Sequence, residues 1–322
     1  MKSASTHLRL SLFALAALAF SGPAALAQSA AASSPSAGTN ASPTAFTPAP
    51  ADTIPDNEFG EMVKKGQRIF LHTGEYAADY VGNSLNCVSC HLDAGRRKNA
   101  SPMWAAYVLY PAYRSKNKHV NTLAERLQGC FQYSMNGKAP PADSETIVAL
   151  QSYMYWMAKG APTGVKLDGQ GYPRLPEPPQ KPDYVRGQHV FEQNCALCHG
   201  ANGEGQHVNG KMVFPALWGD DSFNWGAGMH SVATAAAFIK ANMPLGKGGT
   251  LSDQQAWDVA QYMDSHDRPQ DPRFKGSLEE TRQQHHGGEH DMYGTTVNGK
   301  MLGADSTPSG GKLSGQKQSE AS

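Results

Sequence analysis

The chain has 322 residues, with 28 Lys and Arg balancing 28 Asp and Glu and 39% hydrophobic residues. That even charge gives no reason to expect nucleic acid or a membrane surface as partner. Nor does any apolar run reach the roughly 20 residues that span a bilayer, so no membrane insertion is expected.

Taken in chain order, the first segment reads as an export signal. Lys2 and Arg9 are followed by the apolar run Leu10–Phe20 and by Ala25-Leu26-Ala27, a small-residue cleavage site. Residues 1–27 are therefore a predicted signal peptide and the mature chain is periplasmic, starting at Gln28. Cleavage removes two basic residues and no acidic one, which leaves a mature formal charge of about −2. Residues 28–51, rich in Ala, Ser, Pro and Thr, lack any apolar period and read as a disordered tether.

A first domain, 52–170, opens with a helix over Glu58–Leu71, in which Gly66 and Phe70 share one face. Then comes Cys87-Val88-Ser89-Cys90-His91. Cys-x-x-Cys-His is the attachment site of a c-type haem: both cysteines form thioethers to the porphyrin, and the histidine ligates the iron. Seven basic residues separate His91 from Cys130, namely Arg96, Arg97, Lys98, Arg114, Lys116, Lys118 and Arg126, with only Asp93 and Glu125 opposing them. Such a block is either a solvated face or a pocket for an oxyanion, which the arginine fork suits.

Cys130 is the fifth cysteine, left over once both haem motifs are filled. Free cysteine is often just a small buried apolar residue. Here the domain has no Met-Pro, and Cys130 stands where a distal methionine would, so it is the candidate second ligand of this haem, with Met135 and His119 as rivals. A thiolate donor would lower the potential of that haem. Arg126, four residues before Cys130, shares its helical face, and Arg114 and Lys118 have the same spacing and are expected on one helical turn pointing inward. Arg96, Arg97 and Lys98 are expected to be solvated. A helix over Glu145–Lys159 closes the domain.

Residues 171–183 hold the Pro-rich linker Leu175-Pro176-Glu177-Pro178-Pro179-Gln180-Lys181-Pro182. The second domain, 184–269, repeats the order of parts: a helix over Tyr184–Gln193 with Gly187 and Phe191 on one face, then Cys195-Ala196-Leu197-Cys198-His199. Met243, followed by Pro244 and ahead of the last helix, is the expected distal ligand, with Met212, Met229 and Met263 as rivals. A thioether favours ferrous iron and raises the potential. Ser252 and Gln255 form a capping box for the helix Asp253–His266. Residues 270–322 are polar and Gly-rich and read as a disordered tail, in which His285, His286 and His290 are either a metal-binding tract or chance histidines.

Paired terminal helices meeting at a Gly/aromatic contact resemble class I cytochromes c. The predicted fold is therefore all-α: two tandem cytochrome c domains carrying two covalently bound haems c. The stretch Tyr110–Thr122, the run Glu125-Arg126-Leu127-Gln128-Gly129-Cys130-Phe131 and Asn242-Met243 complete a resemblance to the tetrathionate-forming thiosulfate dehydrogenases, covering roughly residues 58–266. That resemblance implies oxidation of two thiosulfate ions to tetrathionate at a haem with His91 and Cys130 as ligands. Electrons would leave through a haem with His199 and Met243 to a soluble or membrane-linked cytochrome c. Some members carry a lysine just before the methionine that exchanges with it; here Asn242 holds that position and Lys240 lies two residues further back. Two other readings use the same motifs: a dihaem electron carrier, expected to show Met-Pro in both halves, and a sulfur-oxidation cytochrome that loads a carrier protein.

Overall fold

The computed structural model describes residues 42–310. The expected signal peptide and the first part of the tether lie outside the described residues, as do residues 311–322. Helix α1 (Glu58–Leu71) starts where the Asn57 side chain accepts the Gly60 amide, with Glu58 and Glu61 in the positive first turn. The first Cys-x-x-Cys-His follows on a short turn, then α2 (Met103–Leu109) and a hairpin of β1 (Ala112–Arg114) and β2 (His119–Asn121). A reciprocal Thr122/Glu125 capping box begins α3 (Leu123–Gly129), which runs directly into a wider π turn, Cys130–Ser134. Ser144 caps α4 (Glu145–Met157), whose inner face carries Ile147, Leu150, Tyr153 and Met154.

The second half repeats this plan. Asp183 caps α5 (Tyr184–Asn194), and the second motif leads into a hairpin of β3 (Gln206–Val208) and β4 (Lys211–Phe214). Helix α6 (Val232–Asn242) is followed by α7 (Asp253–Asp264), which begins at the anticipated Ser252/Gln255 capping box. In both halves a glycine sets the helix crossing. A Cβ on Gly66 would sit 2.0 Å from the Ala149 carbonyl oxygen of α4, and one on Gly187 would sit 2.0 Å from that of Asp258 in α7. Only glycine permits that approach, and the aromatics four residues on complete it: Phe70 meets Tyr153 at 5.7 Å and Phe191 meets Tyr262 at 5.4 Å. Arg186 forks onto the buried Asp258 carboxylate with two bonds of 2.8 Å, which locks α5 to α7.

The fold is mostly helical rather than all-α: the two haem-motif halves each insert a hairpin, and a third, β5 (Thr296–Val297) with β6 (Lys300–Met301), lies in the C-terminal segment. That segment corrects the reading of residues 270–322 as a disordered tail. Residues 270–310 fold onto the second half through α8 (Leu278–His285) and a small core of Trp225, Tyr293 and Leu302, each at most 2% exposed. The sequence is too polar to suggest this, but its polar groups are satisfied internally: Tyr293 donates to Gln270, Gln270 donates to the Gly303 carbonyl, and Trp225 donates to Ser306. The end of the expected tether is likewise ordered, since Thr44 exchanges backbone hydrogen bonds with Lys166 and Asp168, and Phe46 packs on Trp104.

Buried amides join the two halves. Asn83 donates to the carbonyls of Ser134 and Ser222, Asn224 to Gln132 and Asn136, and Asn242 to Asn99. The Pro-rich stretch runs along α7, where Trp257 donates to Pro176 and Gln254 pairs with the backbone of Gln180.

Candidate active site

Each Cys-x-x-Cys-His places its histidine in the same way. His91 Nδ1 lies 2.8 Å from the Ser101 carbonyl oxygen, and His199 Nδ1 lies 2.9 Å from that of Pro215. A carbonyl can only accept, so Nδ1 carries the proton and the Nε2 lone pair is left for a metal. Burial pushes the pKa of His91 down to about 4 and lowers that of His199, which keeps both rings neutral. None of the five cysteines is paired in a disulfide.

Cys195, Cys198, His199 and Met243 line a cavity of about 370 Å³ with Phe191 and Phe238 in its wall, and it extends to Val88 and Cys90 of the first motif. These residues fit a covalently bound haem: two thiols, an imidazole and a thioether line one cavity with apolar walls. Beside the first motif, Arg96 Nη2 is buried with no partner among the described residues, a donor suited to a haem carboxylate. This corrects the expectation that Arg96 is solvated; its guanidinium stacks 5.1 Å over Trp156. Lys98 does face solvent, paired with Asp168 at 2.7 Å.

Met243 forms the C-cap of α6. Met212, Met229 and Met263 share the cavity wall. Lys240 is engaged elsewhere, donating to the Leu251 carbonyl at 2.6 Å and pairing with Asp253 at 2.9 Å. Asn242 is buried, and its amide is bound to Asn99 and Phe238. Both side-chain nitrogens are thus held by other partners in this structure.

Cys130 sits at the junction of α3 and the π turn; burial, and secondarily the nearness of Cys130, raises the pKa of the Cys87 and Cys90 thiols. The i, i+4 spacing brings Arg126 to it: Nη1 donates to Cys130 Sγ at 3.0 Å, and the sulfur's charge raises the arginine's pKa further. Tyr110 and Tyr172 also approach this guanidinium. Burial raises the pKa of the Tyr172 phenol, keeping it neutral beside the sulfurs.

The other two candidate cations are placed differently from expectation. Arg114 and Lys118 belong to the β1/β2 hairpin, not to a helical turn; Arg114 pairs with His119, and Lys118 is exposed at φ 58° in the connecting turn. The run Ser115-Lys116-Asn117-Lys118 is turn chemistry, which overrides the four-residue spacing. Lys116 reaches inward instead. The residue as a whole is exposed, but its ammonium donates to the Gly226 carbonyl and lies 3.9 Å over the Tyr133 ring. Burial pushes its pKa down to about 7, assisted by Arg273 and Arg126 nearby. Arg273 comes from the C-terminal segment and approaches the same ring at 5.4 Å. Sequence reasoning missed Arg273 because it lay in a segment taken as unfolded, and Lys116 because nothing local distinguishes it from its neighbours.

The thiosulfate dehydrogenase of Thiomonas intermedia is 62% identical to this chain over 263 residues, covering 82% of the chain and 84% of that protein. The chain belongs to the thiosulfate dehydrogenase family. The Stutzerimonas stutzeri thiosulfate dehydrogenase is 55% identical, covering 80% of the chain and 85% of its own length. Among solved structures, the thiosulfate dehydrogenase (TsdBA) from Marichromatium purpuratum in its "as isolated" form superposes with a TM-score of 0.79 at 53% identity. That match covers 81% of this chain but 58% of the other. Two family models divide the chain into cytochrome c units. Residues 76–163 match the SoxA/TsdA cytochrome c domain, and residues 182–263 match cytochrome c oxidase, cbb3-type, subunit III.

Proposed function

We propose that this chain is a periplasmic dihaem enzyme that joins two thiosulfate ions into tetrathionate and passes two electrons to an external c-type cytochrome. The observation that carries this reading is the Arg126–Cys130 pair beside the first haem motif. His91 and Cys130 would hold one haem, and His199 and Met243 the other; each group supplies a one-electron acceptor.

The chain's own residues do the rest. Two dianions repel each other, so a site that unites them needs fixed positive charge in a partly dry setting. Arg126, Lys116 and Arg273 supply it from three different elements. Cys130 provides a sulfur for exchange with substrate sulfur. Its thiolate and the outer sulfur of one thiosulfate form an S–S bond with release of two electrons. A second thiosulfate then attacks the substrate-derived sulfur, frees tetrathionate and restores the thiolate. Charge balances at each stage: two dianions become one dianion and two electrons. The Arg126 guanidinium can hold the cysteine sulfur while it is charged and an oxyanion while it is bonded.

Oxidised holoprotein mixed with thiosulfate alone should show reduced haem bands and accumulate tetrathionate. Cys130→Ala should abolish both with haem content intact. Full turnover by that variant would sink the proposed role of Cys130, and failure of the wild type to be reduced would sink the reaction.

A further inference from the structure

A second cluster of ligand-type side chains lies outside the haem motifs and takes no part in the chemistry above. His230 ends the short turn Gly228–His230 ahead of α6, whereas His286 and Asp291 belong to the C-terminal segment. All three are buried, and their donor atoms lie within 4.8 Å of one another. His286 Nδ1 is 3.0 Å from Asp291 Oδ2, and His230 Nδ1 is 3.4 Å from Asp291 Oδ1. Ligands about 2.0–2.1 Å from a shared tetrahedral ion are themselves about 3.3 Å apart, and small side-chain adjustments would bring donor atoms within 4.8 Å of one another to that spacing.

The surroundings have the form of an outer ligand shell. The far nitrogen of His286, Nε2, is 2.9 Å from Asp271 Oδ2, and Arg273 holds that carboxylate through Nε at 2.9 Å and Nη2 at 2.6 Å. An imidazole whose second N–H is anchored on a braced carboxylate is oriented as metal-bound histidines are. A proton is the competing occupant, making His286 an imidazolium between two aspartates. That accounts for His286 but leaves His230 Nδ1 buried with Asp291 Oδ1 at 3.4 Å and, among the described residues, no hydrogen bond of good geometry. A cation shared by all three residues satisfies both rings.

We propose that His230, His286 and Asp291 bind one divalent transition-metal ion of the zinc type. Two neutral imidazoles and one carboxylate disfavour calcium and magnesium, which take oxygen ligands. The ion would clip the C-terminal segment to the second haem half, since one ligand comes from that half and two from the segment. The clip also reaches the cationic pocket, because the Asp271 that anchors His286 is the carboxylate that holds Arg273 against Tyr133. Of the three tail histidines, His286 alone is a ligand; His290 pairs with Glu177.

The test uses chelator-treated holoprotein titrated with Zn²⁺ by calorimetry, with zinc and iron counted by mass spectrometry, so it stands apart from turnover. One zinc per chain beyond the haem iron is expected. His230→Ala and Asp291→Asn should each weaken binding at least about tenfold, and Asp271→Asn should weaken it about 10–100-fold through the outer shell. His285→Ala, at a half-buried neighbour, should bind like the wild type. Independently of any variant, Zn²⁺ should slow proteolysis of residues 270–310 in the wild type. Absence of stoichiometric zinc in the wild type, or unchanged affinity in His230→Ala, would overturn the proposal. Protease protection that follows pH and ignores zinc would overturn it too, in favour of the proton.

Discussion

Arg126→Ala is the substitution that most directly probes the site. In the structure this guanidinium donates to Cys130 Sγ at 3.0 Å, and the nearness of Cys130 raises the arginine's pKa. A hydrogen bond involving a charged group contributes about 1.5–3 kcal/mol. If that stabilisation accompanies charge moving between cysteine sulfur and substrate, its loss appears in kcat/KM, where about 1.36 kcal/mol is tenfold. The expected fall is therefore about ten- to 150-fold. Arg97→Ala removes a half-buried side chain of the same basic block that makes no side-chain hydrogen bond or ion pair among the described residues, and a change within about 0.5 kcal/mol alters the rate about twofold at most. Arg126→Lys keeps the charge and loses the fork, so it should fall between the two. The assay is steady-state thiosulfate oxidation with an oxidised c-type cytochrome as acceptor, each variant normalised to haem content. Low-spin magnetic resonance of the first haem reports whether its ligation survives. Equal and mild effects of Arg126→Ala and Arg97→Ala, with haem content unchanged, would refute the pocket and make the basic block a solvated face.

Three further outcomes are expected. Met243→Gly should remove the weak red-edge sulfur-to-iron band and lower the potential of the second haem while the first keeps its signature; a persisting band would assign the ligand to Met212, Met229 or Met263 in the same cavity wall. The Lys116 ammonium, with its pKa pushed down to about 7, is charged below that pH and neutral above it. Hence kcat/KM for thiosulfate should decline as pH rises through about 7, and Lys116→Arg should flatten that step; an identical profile in the variant would remove Lys116 from the pocket. Gly187→Ala puts a Cβ 2.0 Å from the Asp258 carbonyl, so α5 and α7 must separate. A cost of about 1–3 kcal/mol is expected as a lowered Tm, and an unchanged Tm would show that the crossing relaxes freely.

What the sequence by itself determined is what a few neighbouring residues decide. The helix start at Ser252 follows from a side chain that reaches the amide three residues on. The helix crossings follow from Gly66 and Gly187, each four residues before an aromatic on the same face. The Arg126–Cys130 contact follows from one turn of helix. Each is a local interaction, so its signature survives in the order of residues. Tertiary structure decided which cations enter the pocket. Lys116 is chosen over Arg114 and Lys118 by a hairpin turn and by the Gly226 carbonyl, 110 positions away. Arg273 is chosen because Asp271 holds it and Asp271 is held by His286. The same holds for residues 270–310: they are too polar to form a core of their own, and they order because Trp225, from the second half, supplies apolar surface while their buried polar groups find partners in one another. Such order depends on groups far apart in the chain meeting in the right geometry, and no local pattern records that meeting.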